Sequence, residues 1–223
     1  QEKARFLRTL PQPQISLFRF IFVQASYVRK ISWVLSGLIL LLALFCACNI
    51  NEGTLWVISA FVPILGLLAV TEGNRSMTYG MSEFEMSARF SLKSVVLARM
   101  SILGLTNFAV IAVIAPLCRI GNDFSLLQIG MYLIVPYLLT VNFSLWLTRH
   151  INDKETIYVC MCVAAIVSGI NTGLHFATDL IYQEIYTGWW IALSVFLFIG
   201  LAYEIHCTIK RTEEYTWNLS LTD

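Results

Sequence analysis

Long apolar runs separated by short polar clusters fill most of the chain, and six of them are long enough to cross a bilayer. They cover residues 31–50, 55–71, 95–117, 126–147, 157–177 and 188–207. A helix rises about 1.5 Å per residue, so a hydrocarbon core of about 30 Å takes roughly 20 residues. The run 55–71 is short by that measure and is expected to draw on Thr54 and Glu72 at its ends. The pattern predicts an all-α integral membrane fold of six transmembrane helices.

Composition points the same way. Hydrophobic residues make up 57% of the 223 and charged residues 13%, against about 25% charged in soluble domains. Mean hydropathy is +0.71. The segments between the runs are too short for a separate soluble domain. Residues 1–223 are therefore expected to form a single membrane domain. It has an N-terminal segment, a six-helix unit over 31–207 and a tail over 208–223. A secretory signal peptide is not expected, because six basic residues and about thirty positions precede the first long run.

The distribution of charge predicts which way the helices run. With the N-terminus inside, 14 of the 15 Lys and Arg residues fall on the cytoplasmic side and only Arg119 outside. The outer segments carry Glu52, Asp123, Asp179 and Glu184 instead. Basic residues kept inside over short loops are the main determinant of orientation. Trp33 and Trp146 fall at the inner ends of their runs, and Trp56, Trp189 and Trp190 at outer ends, where amphipathic rings favour the headgroup level. Both termini are predicted to be cytoplasmic.

Two shorter segments qualify the picture. Over 15–28 and into Lys30, Ser16, Arg19, Ser26 and Lys30 recur near helical spacing, with Val23 breaking that polar face, while Ile15, Phe18, Phe22 and Ala25 take another side. A basic amphipathic helix of that kind lies in the membrane surface, as a juxtamembrane anchor or an elbow helix. Between the second and third runs, Ser82 and Glu85 have capping-box spacing, so a short cytoplasmic helix is expected to start at Glu83. Glu85 and Arg89 stand four apart and can pair. Met81, Phe84 and Ala88 would form one apolar face, and Met86 and Phe90 another. A helix this short is marginal alone. It needs a surface to pack on, either a protein partner or the bilayer.

The surface helix, the six runs, the cytoplasmic termini and the short helix between runs two and three together resemble the ABC-2-type transporter permeases. Locally, the stretch Glu83-Phe-Glu-Met-Ser-Ala-Arg-Phe-Ser-Leu running into 95–99 is similar to the first cytoplasmic loop of small bacterial members. The resemblance implies an exporter in the bacterial plasma membrane. It also implies a coupling helix, with Met81, Phe84, Glu85, Arg89 and Phe90 seated on a separate cytoplasmic ABC ATPase. A second permease copy or a related chain would complete the transport path. ATP and Mg would then belong to the partner ATPase. In keeping with that, the chain has no Gly-x-x-x-x-Gly-Lys-Ser/Thr to cradle phosphates. No cofactor, metal, catalytic residue or nucleic-acid partner is expected on this chain. The family's outer segment between the last two runs would correspond to 178–187, which is short here.

Polar residues inside the runs are the remaining candidates. Asn107, Asn142, Asn171 and His175 could line a transport path, since burying polar groups in a membrane is costly, or could hydrogen-bond between helices. Glu72 and Glu204 are expected to brace the inner helix ends beside Arg99 or Lys210. Gly169 and Gly173, with Ala165 a turn earlier, form a small-residue face suited to close helix packing, within the chain or between copies. Pro63, Pro116 and Pro136 are expected to kink or end helices. The cysteines within the runs lack the spacing of a zinc site and read as packing residues.

Two other functions stay open at this point. One is an intramembrane enzyme using Ser168 and His175, although His-Glu-x-x-His and Gly-x-Ser-x-Gly are both absent. The other is a non-transporting sensor or assembly subunit.

Overall fold

In a computed structural model, the chain is described over residues 29–49, 54–73, 92–119, 124–151, 155–177 and 184–220. The described residues form α1 (Lys30–Asn49), α2 (Thr54–Gly73), α3 (Leu92–Cys118), α4 (Leu126–His150), α5 (Thr156–Ala177) and α6 (Thr187–Ser220). A 3-10 turn at Glu184–Tyr186 leads into α6. All six helices are long and apolar enough to cross a membrane, so the chain is a multi-pass membrane protein. Each helix matches its predicted run to within three residues at either end, with one exception. The sixth does not stop at Cys207 but continues to Ser220, through charged residues that favour helix. The surface segment 15–28 lies outside the described residues.

The helices are not equivalent. α2 and α4 form the centre: about half of each apolar window is buried, 50% and 56%, against 11% in α5 and 17% in α6. α4 packs on α2, α3, α5 and α6, while α2 packs on α1, α3, α4 and α5. The two lie side by side and run the same way, with Trp56 stacked on Tyr132 at one end. Gly66 permits that approach. A Cβ there would stand 3.1 Å from Val141 Cγ2 and 3.2 Å from the Tyr137 carbonyl oxygen. The core is Leu55, Ile58, Val62 and Leu65 of α2 against Ile129, Leu133 and Leu138 of α4, closed by Ile111 and Ile114 of α3.

At one end of the bundle, Trp56, Phe124, Tyr132 and Trp190 make a ring cluster, with centroids 5.2–6.4 Å apart. Trp56 and Trp190 therefore turn partly inward, and only Trp189 stands well exposed, at 76%. At the opposite end, two ion pairs tie helix termini together. Arg29 Nε lies 3.7 Å from Glu72 Oε1, and Arg149 Nη2 3.2 Å from Glu204 Oε1. The acidic groups do brace this end, but Glu204 meets Arg149 in place of the cations expected for it. α4 and α6 are parallel neighbours, a pairing that linear order does not reveal.

Pro63 and Pro136 lie inside continuous helices, and Pro116 inside the last turn of α3. None ends its helix outright. In a membrane, neighbouring helices and hydroxyl side chains can take up the backbone groups that a proline releases.

Candidate functional site

Pro63 marks the most distinctive contact of the bundle. It has no N–H for the carbonyl of Ser59, and its ring crowds that carbonyl. Both residues at the opened turn are engaged by α5. Ser168 Oγ donates to the Ala60 carbonyl at 2.7 Å. Asn171 Nδ2 donates to Ser59 Oγ at 2.7 Å, and Ser59 Oγ donates onward to the Trp56 carbonyl at 3.2 Å. α5 thus docks on the central helix at the one turn where a proline interrupts its ladder. Ser168 and Asn171 are three apart and so share a face.

The other asparagines behave alike. Asn107, 2% exposed on α3, donates to the Leu65 carbonyl of α2 at 3.0 Å. Asn142 on α4 donates to its own Leu138 carbonyl at 2.8 Å and across to Leu197 of α6 at 3.1 Å. Gly200 makes room for it, since a Cβ there would stand 3.1 Å from Asn142 Oδ1. Along that same seam, Gln128 Nε2 donates to Thr187 Oγ1 at 3.2 Å, while its Oε1 accepts from the Ser125 N–H at 3.0 Å. With Arg149 and Glu204 this makes three polar rungs along the seam. On α6, Thr187, Trp190, Ser194, Leu197, Leu201, Glu204 and Thr208 alternate by three and four, the spacing of a helix seam.

Glu204 is 8% exposed, and its Oε2 has no hydrogen-bond partner among the described residues. Its Oε1 is held by Arg149. Trp146 and His150 lie against each other at the same helix end, with ring centroids 4.5 Å apart and planes tilted by 39°.

The remaining sequence candidates fall elsewhere. Gly169 and Gly173 face open space, with nothing within 4 Å of a Cβ built at either. Within the described residues they are therefore not at a helix contact. His175 lies in α5, and its side chain is outside the description. Met81, Phe84, Glu85, Arg89 and Phe90 all lie in 74–91, outside the described residues. Sequence reasoning missed Ser59 and took Ser168 only as a nucleophile candidate. The signal was present: Ser59 and Ala60 stand four and three residues before a proline within an apolar run. Among the described residues, no group of three or more His, Cys, Asp or Glu side chains could hold a metal ion.

Chemically, this is a lattice of neutral donors fixing helix to helix, anchored at one end by two ion pairs. No protein-family model, curated protein or solved structure matches the chain.

Proposed function

We propose that this chain is the membrane-spanning permease subunit of an ATP-driven exporter of the ABC-2 type, with both termini cytoplasmic. A separate ATPase would dock on the α2–α3 link, and a second permease copy or a related chain would complete the path. The observation that carries this reading is where the link is attached. Residues 74–91 make the longest connection between successive described helices, and they leave from α2, a central helix. At Gly73, the last residue of α2, a built Cβ would stand 2.9 Å from Met100 Cγ of α3. A push on the link would therefore reach α2 and α3 together. From α2 it would pass through Ser59 and Ala60 to Ser168 and Asn171, and so to α5. Pro63 gives α2 a point at which to bend. The same contact commits the Ser168 hydroxyl as a donor to Ala60, which weighs against its use as a nucleophile.

Gentle extraction from native membranes tests the docking step. An ATPase should co-purify with the chain, and Phe84→Ala with Arg89→Glu should release it while the chain still inserts. Repeated extraction with no ATPase partner would defeat the proposal, as would labelling of residues 79–93 from the outer face. Ser168→Ala with Asn171→Leu should retain the ATPase yet lower transport.

A further inference from the structure

α5 and α6 both pack on α4 but hardly touch each other. Between them runs a groove of about 420 Å³, walled by Val163, Val167 and Leu174 of α5 and Leu193 of α6, with Leu139 of α4 in its floor. Its lining is apolar almost throughout. Asn171 is the single amide there, and its Nδ2 is given to Ser59.

The dimensions select an occupant. Val163 to Leu174 spans twelve residues, whose eleven rises make about 16 Å of helix. Half of a hydrocarbon core about 30 Å thick, the depth of one leaflet, is about 15 Å. A single extended hydrocarbon chain matches both that length and the apolar lining. The ends agree. Trp190 closes one end, beside exposed Trp189 and Tyr186, where aromatic rings mark headgroup level. The other end, at Phe143 and Val163, lies about 10 Å along α5 from Thr156, well inside the span.

We propose that the groove is a binding site for one acyl chain of a phospholipid, drawn from the leaflet on the Trp190 side and held as a resident lipid. The hydrophobic effect does not drive this, because the tail is already in an apolar medium. The gain is dispersion contact with three helices where a flat helix face offers one. The inference holds whether or not the chain belongs to a transporter.

The test uses the full chain in bilayer nanodiscs containing a phosphatidylethanolamine with a diazirine midway along one acyl chain. Photolysis should label Leu139, Val167 and Ile170 several-fold more than the α1 face of Val34, Leu38 and Phe45, although that face is on the whole more exposed. Val167→Trp or Leu193→Phe should fill the groove and lower its labelling several-fold, leaving α1 unchanged. Val167→Ala should retain the label. Native mass spectrometry should find one phospholipid kept per chain, lost in whichever filling variant remains helical and monodisperse. Equal labelling of groove and α1, undiminished labelling in a folded filling variant, a free fatty acid as the retained mass, or copy-to-copy crosslinks at Ile170 in place of lipid adducts would each overturn the assignment.

Discussion

Ser168, Asn171 and Ser59 carry the contact between α5 and the central helix, and each can be weighed singly. Hydrogen bonds between membrane helices average about 0.6 kcal/mol and reach about 1.7, because the unfolded chain in the membrane also finds partners. Ser168→Ala is expected to fall in that range on unfolding in mixed micelles. In a double-mutant cycle, Ser59→Ala and Asn171→Ala should cost less together than their sum. Strict additivity would mean that the 2.7 Å bond contributes nothing. The glycines offer a sharper contrast. Gly66→Ala puts a methyl against a backbone carbonyl on α4, and overpacking of that kind costs about 1–3 kcal/mol. Gly169→Ala and Gly173→Ala meet open space, so the helix-propensity gain of up to about 1 kcal/mol should appear alone. Equal thermal shifts at Gly66 and Gly169 would contradict the close approach of α2 to α4.

Between elements, the α4–α6 seam makes the most demanding prediction. Removing one partner of a fully buried ion pair strands the other charge, at about 3–5 kcal/mol; this pair, with side chains 23% and 11% exposed, should cost less than that. Arg149→Met should still destabilise the protein measurably, since Glu204 is left with neither oxygen held. Glu204→Gln added to Arg149→Met should recover much of the loss in thermal unfolding. A double variant as weak as the single one would mean that Glu204 finds another cation. This seam also separates what could be read from the chain and what could not. A helix long enough to span is a property of one segment, so all six came out of hydropathy alone. A hydrogen-bond partner is a property of two segments. Asn107 with Leu65, Asn171 with Ser59 and Glu204 with Arg149 stand 42, 112 and 55 residues apart. Nothing in the local spacing orders six apolar helices around one another. Arg99 and Lys210 were as plausible for Glu204 as Arg149 until α6 was known to lie along α4.

For the molecule as a whole, the division into central and peripheral helices sets an expected order of stability. Amides of α2 and α4, enclosed by neighbours, should exchange with deuterium most slowly in detergent, and those of α5 and α6 sooner. Uniform exchange across the six would argue against an enclosed pair. One consequence reaches beyond the bundle. α6 continues from Lys210, where its apolar window closes, to Ser220 with no break in the helix. That adds about 15 Å of rod, rooted in a seam pinned at Gln128, Asn142 and Arg149. A reporter protein fused directly after Ser220 would ride on a stiff mast, its tumbling slaved to the bundle, and torque applied to it would be felt at Glu204.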